Sequence, residues 1–330
     1  RSMLAGFLVI LGLLLLFFGG EYLVRGSVAV ARQLGMSPLV IGVTLVGFGT
    51  SAPELMASIQ AALSGAPGIA VGNVIGSNIC NILLILGVGA VILPFHTPRG
   101  ALMRDGGVML GGAFLLTMIV VLMDEIGFWV GLTGFSLLIV YAYWTYWADA
   151  NSDEPVDVPE EVADAPVDKP LWYNFATAIG GIAGVVLGAM FLVDGSVDIA
   201  RSFGVSDAVI GITLVAIGTS LPELAATIAA SIKKHNELAF GNVLGSSTFN
   251  TLGILGVTAM VTPLPIPPEI ITFSIWTMLG AMVLLAALSL VRGQLGRMEG
   301  IGFVAAYVIF IALTVAPGGD PMLGAANVAG

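Results

Sequence analysis

Apolar runs long enough to cross a hydrocarbon core of about 30 Å recur from one end of the chain to the other. Ten can be placed, at 3–24, 38–62, 70–93, 103–123, 126–147, 172–193, 207–231, 239–262, 270–291 and 300–316. Within them the apolar residues are continuous rather than alternating, which indicates helices and not barrel strands. Composition agrees: 57% of the 330 residues are hydrophobic and 10% are charged, against about a quarter charged in soluble domains. The sequence therefore predicts an all-α integral membrane protein, with the lipid bilayer as its medium and no sign of nucleic-acid binding. The first run, from Leu4 to Gly20, lacks a small-residue cleavage site with a polar segment after it, so it reads as a retained helix. Arg1 and Ser2, ahead of Met3, read as a cloning remnant. The single cysteine, Cys80, allows no internal disulfide.

The chain is duplicated. "LVRGSVAVARQLGMSPLVIGVTLVGFGTSAPEL" at 23–55 matches "LVDGSVDIARSFGVSDAVIGITLVAIGTSLPEL" at 192–224, an offset of 169 residues. The same offset carries Gly72-Asn73-Val74 onto Gly241-Asn242-Val243, Asn81 onto Asn250 and Pro94 onto Pro263. Residues 1–147 form a first five-helix repeat, with its motif at about 40–87; residues 171–330 form a second, with its motif at about 209–256. Between them "ADANSDEPVDVPEEVADAPVDKP" (148–170) is acidic and poor in large apolar residues, and reads as an extended linker. Much of the net charge of −10 sits there, so that charge says little about partners.

Five spans per repeat is an odd number, so the second repeat enters the membrane from the opposite side, and an inverted repeat follows. Of the eleven lysines and arginines, Arg25, Arg32, Arg99, Arg104, Lys169, Lys233, Lys234, Arg292 and Arg297 lie at odd-numbered connections. Only Arg1 and Arg201 fall on the other face. The positive-inside rule makes the crowded face cytoplasmic, with the linker there and both termini outside.

Glu54 and Glu223 fall near the middle of spans 2 and 7. A carboxylate at such depth costs about 2.5–3.5 kcal/mol on insertion scales, and no lysine or arginine lies at comparable depth. Each glutamate either is protonated or has a partner that the sequence does not encode, for which a cation is the natural candidate. Pro53 and Pro222 remove a helical donor just before each glutamate and displace the carbonyls of Gly49 and Gly218, so spans 2 and 7 should be broken helices. Thr50, Ser51 and Glu54 share a face. Asn73, Ser77 and Asn81 form a stripe on span 3, as do Asn242, Ser246 and Asn250 on span 8. The oxygens are carboxylate, amide, hydroxyl and main-chain carbonyl, a set for hard cations such as calcium and sodium rather than zinc, copper or iron. The glycines and serines taken alone read as helix packing; Asn81 and Asn250 read first as ligand-lining, with an interhelical hydrogen bond as the alternative. His96 and His235 fall in loops, and Trp144, Tyr146 and Trp147 form an interfacial belt. No nucleophile–base set, cofactor motif or obligatory protein partner is evident, so an enzyme is not expected.

"GFGTSAPELMASI" with "GNVIGSNICNILLILG", and "AIGTSLPELAATI" with "GNVLGSSTFNTLGILG", resemble the two alpha repeats of the cation/calcium antiporter superfamily, in particular its sodium/calcium exchanger branch. The resemblance implies exchange of Na⁺ for Ca²⁺ by alternating access at a central cluster of four sites. It implies that Glu54 and Glu223, with the carbonyls of Thr50 and Thr219, hold calcium. It groups Ser51, Ser77 and the Gly47 carbonyl in one sodium site, and Ser220, Ser246 and the Ala216 carbonyl in its counterpart. Asn81 and Asn250 would line the middle position. Several relatives carry aspartate where this chain has Asn250, which weakens the case for potassium co-transport. A proton/calcium antiporter is the alternative within the class, and a cation channel the alternative outside it. One expectation is checked on the topology itself: in a Cys80→Ser background, a cysteine placed at position 160 should react with an impermeant maleimide only from the cytoplasmic face.

Overall fold

The computed structural model describes residues 2–63, 65, 67–97, 99–150, 169–202, 216–266 and 270–315. Helices α1 (Ser2–Leu34), α2 (Pro38–Thr50), α3 (Ala52–Leu63), α4 (Pro67–Ile92), α5 (Leu102–Leu122) and α6 (Phe128–Ala150) make up the first repeat. The second contains α7 (Leu171–Ser202), α8 (Ala216–Gly218), α9 (Leu221–Ile232), α10 (Asn236–Val261), α11 (Ile275–Arg292) and α12 (Arg297–Val315). Among the described residues eight helices are long and apolar enough to cross a membrane, and the bent pair α2–α3 makes a ninth. The expected span at 207–231 is described only from Ala216, and most of the acidic linker lies outside the described residues.

Both central helices are broken, as the prolines require. α2 ends at Thr50, Ser51 takes φ −82° and ψ 7°, and α3 restarts with Pro53 as its second residue, bent by 40° from α2. The break therefore falls at Ser51 rather than at Gly49. Its counterpart Ser220 has φ −91° and ψ 5°, with Pro222 in the first turn of α9. Proline lacks the N–H that an interior position would need, but the first turn of a helix asks for none.

Helices α1 and α7 run beyond the expected 3–24 and 172–193. No residue between 25 and 34 stops α1; Gly35, at φ +65°, does. Its N–H bonds to the Arg32 carbonyl and the Met36 N–H to that of Ala31, closing the helix with the left-handed residue that glycine supplies at low cost. α1 and α7 pack antiparallel over most of their length. Gly12, Gly19 and Gly26 recur every seventh residue, and their repeat counterparts Gly181, Gly188 and Gly195 do the same. A Cβ at Gly19 would lie 2.7 Å from the Val185 nitrogen, and one at Gly188 would lie 2.8 Å from that of Leu16. The two backbones touch, so this seam accepts no side chain at those positions.

The inversion is visible at the ends of the helices. Strand β1 (Phe95–His96) pairs antiparallel with β4 (Gln294–Leu295), and β2 (Glu125–Ile126) with β3 (Leu264–Pro265). Each two-residue ladder joins one repeat to the other, and each joins odd connections to odd or even to even. The other loop contacts obey the same parity: Ser37 bonds Asp149, Gln33 bonds the Lys169 carbonyl, and Asn236 bonds the Pro94 carbonyl. These contacts hold the 1/2 and 5/6 connections together, and the 3/4 connection to both 7/8 and 9/10, with no odd connection paired to an even one among them.

The seam yields a sharp comparison between neighbours. Gly180 is exposed with open space around it, whereas Gly181 lies against the backbone of Leu23. In detergent, Gly181→Ala should lower the melting temperature by about 5 °C or more, while Gly180→Ala should leave it within about 2 °C.

Candidate ion-binding site

Glu54 and Glu223 are 1% exposed, each in the first turn of the half-helix that follows a break. Every described ion pair lies elsewhere, at Arg104–Asp105, Lys233–Glu21 and Arg292–Glu299. Asp105 provides an internal contrast. It is also fully buried, but Arg104 grips both its oxygens at 2.9 Å and the Tyr141 hydroxyl donates to it at 3.0 Å. This fold neutralises a buried carboxylate where it needs only a structural one.

The two glutamates instead receive single hydroxyls, and each comes from the other repeat. Ser51 donates to Glu223 Oε1 at 2.7 Å, and Ser220 to Glu54 Oε1 at 3.2 Å. Ser220 also approaches Ser77 at 3.5 Å, and Ser246 donates to the Gly47 carbonyl at 3.1 Å. The hydrogen bonds therefore bring Ser77 together with Ser220 and Glu54, and Gly47 together with Ser246. The resemblance groups Ser77 with Gly47 and Ser220 with Ser246, and these hydrogen bonds run between the two groups. The close approach of α2 to α10 makes this possible, since a Cβ at Gly47 would lie 2.8 Å from the Ser246 nitrogen.

Asn81 and Asn250 are each 1% exposed. Both fall in a stretch of wider π-type winding, Cys80–Ile85 in α4 and Phe249–Ile254 in α10. There Leu86 N–H reaches back five residues to the Asn81 carbonyl, and Leu255 N–H to that of Asn250. Such a turn shifts the face on which later side chains emerge, and it recurs at functional sites. Among the described residues several buried side-chain oxygens have no protein donor; most of the others are serine and threonine hydroxyls, but four belong to the two glutamates and the two inner asparagines: Glu54 Oε2, Glu223 Oε2, Asn81 Oδ1 and Asn250 Oδ1. All four are acceptors, and all belong to the residues singled out from sequence. A donor-free group of buried acceptors, two of them carboxylate oxygens, is chemically suited to a cation.

The remaining candidates play other parts. The Thr50 hydroxyl donates to the Val46 carbonyl at 3.0 Å and lies 3.3 Å from Asn242 Oδ1, so it is taken up within the protein. Thr219 and Ala216 flank the second break, and Ala216 opens α8. Asn73 and Asn242, the outer members of each stripe, do not carry free oxygens into the cluster. Asn73 Nδ2 donates to the Glu54 carbonyl at 3.2 Å and the Ser58 hydroxyl at 3.0 Å; Asn242 does the same to the Glu223 carbonyl and Thr227, at the same distances. They brace the half-helices that bear the glutamates. Ser58 and Thr227 were missed by sequence reading, although their hydroxyls sit four residues after each glutamate at the repeat offset. Asn78, Ser247 and Thr251 were missed as well, because they lie off the four-residue stripe.

A family model described as sodium/calcium exchanger protein matches residues 4–147 and 173–316. The chain is 32% identical to the sodium/calcium exchanger MaX1 of Methanosarcina acetivorans, over 92% of this chain and 96% of that one. It is 34% identical to the inner membrane protein YrbG of Escherichia coli, over 94% and 97%. Its fold superposes on a solved structure of the sodium-calcium exchanger NCX_Mj, soaked with Na⁺ and Sr²⁺, with a TM-score of 0.82 and 35% identity, over 94% of this chain and 99% of that one. With its duplicated motif and its inverted halves, the chain belongs to the sodium/calcium exchanger family.

Proposed function

We propose that the protein is an antiporter that exchanges Na⁺ for Ca²⁺ at the cluster around Glu54 and Glu223. The observation that carries this reading is that, among the buried oxygens without a donor, both glutamates and both inner asparagines each leave one, at positions related by the repeat offset. Ser51, Ser220, Ser77, Ser246 and the carbonyls of Gly47, Thr50, Thr219 and Ala216 complete the oxygen supply. One Ca²⁺, or a set of Na⁺ ions, offsets the two negative charges. An empty cluster leaves both carboxylates uncompensated, which discourages crossing without cargo and makes the protein an exchanger rather than a leak.

The family pattern of about three Na⁺ for one Ca²⁺ moves one net positive charge with sodium. That movement is worth about 2.3 kcal/mol per 100 mV, so an inside-negative potential drives sodium in and calcium out. The membrane is the inner (plasma) membrane of a prokaryote, with residues 148–170 cytoplasmic and both termini outside. Support comes from the nine basic residues on the odd connections and from the relative named as an inner membrane protein.

The α1–α7 pair is the element that slides during alternating access. It sits off the pseudo-two-fold axis: Gly49, two residues before the first break, faces Ile182 of α7, and Gly218, two residues before the second, faces Val193 of the same helix. By the repeat offset the mirror-image state sets Leu13 against Gly218 and Val24 against Gly49, both from α1.

In proteoliposomes at equal pH on both sides, an imposed sodium gradient should drive ⁴⁵Ca uptake. Glu54→Gln and Glu223→Gln should each reduce it by at least about tenfold, since either leaves the cluster short of a charge. Uptake driven only by a pH gradient, or flux that needs no counter-ion, contradicts this reading. A valinomycin-imposed, inside-positive potential should raise sodium-driven ⁴⁵Ca uptake, and an electroneutral exchanger would show no change.

A further inference from the structure

Asn78 is fully buried, one residue beyond Ser77, and none of the roles above uses it. Its amide nitrogen donates to Thr251 Oγ1 at 2.9 Å and lies 3.6 Å from Met278 Sδ. The Thr251 hydroxyl gives its own proton to the Ser247 carbonyl at 3.0 Å, so toward Asn78 it serves as an acceptor. With its nitrogen engaged in this way, Asn78 presents Oδ1 to its other neighbour, and Asn250 Nδ2 donates to it at 3.3 Å. The remaining end of the Asn250 amide is its carbonyl, Oδ1, which has no protein donor.

The repeat counterpart of Asn78 is Ser247, and it does the same thing in reverse. Asn81 Nδ2 donates to Ser247 Oγ at 3.4 Å, and Asn81 Oδ1 is left without a donor. Asn236, at a connection, also bonds through its amide nitrogen with its carbonyl unpaired; at Asn81 and Asn250 the unpaired carbonyl recurs at both repeat-related positions, within the helices that carry the candidate site, and each is left so at a cost. An amide has one donating end and one accepting end, so fixing the first against a neighbouring helix fixes the direction of the second.

We propose that Asn78 and Ser247 are positioning residues that turn the carbonyl ends of Asn250 and Asn81 toward the transported ion. This rests on reading Asn81 and Asn250 as ion-lining residues. The two positioning residues are not equivalent. A serine hydroxyl can swing to accept or donate, whereas Asn78 can reverse its amide only by breaking its bond to Thr251. Asn250 is held the more strictly of the two, which makes Asn78 the residue to test.

The experiment is sodium-driven ⁴⁵Ca uptake by proteoliposomes, with KM for Ca²⁺ and maximal rate measured separately. Asn78→Ala should raise the KM about tenfold with the maximal rate within about twofold. Asn78→Ser, which supplies the counterpart's hydroxyl as an acceptor, should raise it less than about threefold. In an Asn250→Ala background the Asn78→Ala change should add less than about twofold, because there is no amide left to orient. A full tenfold increment in that background overturns the proposal, as does an unchanged KM in Asn78→Ala. Should Asn78→Ala fail to fold, Thr251→Val keeps Asn78 and removes the hydroxyl that orients it. Its KM should rise about threefold, and only when Asn250 is present; an unchanged KM overturns the proposal. An Asn250→Ala variant with wild-type KM removes the ion-lining reading itself, whereas a weakened Asn250→Ala beside a normal Asn78→Ala overturns only the role of Asn78.

Discussion

A carboxylate withdrawn from water without a partner is among the costliest arrangements a membrane protein can hold, and this chain holds two. On the proposed reading the cost recurs in every cycle in which the cluster is empty, and the entering cation relieves it. The rest of the architecture can be understood as the means of keeping that debt open. Asp105 shows that the same fold can satisfy a buried acid completely, with an arginine and a tyrosine. At Glu54 and Glu223 it supplies one serine hydroxyl each and withholds the base.

The duplication supplies the geometry. One repeat contributes a glutamate, and the other contributes the serine that touches it. Ser51 reaches Glu223 and Ser220 reaches Glu54, so neither half contains a complete site. This crossing depends on backbone contact between α2 and α10 through Gly47, and on helix breaks at Ser51 and Ser220 that release the chain from regular winding. The asparagine braces then hold each half-helix after its break, so the glutamate is carried on a fixed support. A symmetric pair of half-sites, bordered by a helix pair that sits off their axis, is the arrangement that two-sided access requires.

Much of this was legible in the sequence. The hydropathy and the 169-residue offset lead to inverted five-span repeats, and Pro53 and Pro222 lead to broken helices. Glu54 and Glu223 stand out because nothing basic shares their depth. What could not be read was tertiary or depended on winding. The exchange of serines between repeats has no local signature, since Ser77 and Ser220 are far apart in sequence. The π-type turns at Cys80–Ile85 and Phe249–Ile254 have no signature in a hydropathy pattern, and Asn78 and Ser247, which precede those turns, fall one residue off the four-residue stripe. The extra length of α1 was available in principle, because Gly35 is the first residue able to close it cheaply. A hydropathy window misses it, since Arg25 and Arg32 interrupt the apolar run without interrupting the helix.

The central claim is that one cluster of buried acids is neutralised by either ion in turn. Equilibrium ⁴⁵Ca binding to the purified protein, measured across a series of sodium concentrations, tests it most directly. The account predicts that sodium displaces calcium steeply and completely, and that Glu54→Gln or Glu223→Gln abolishes the saturable component. Calcium binding that is indifferent to sodium, or that survives loss of either carboxylate, would contradict it.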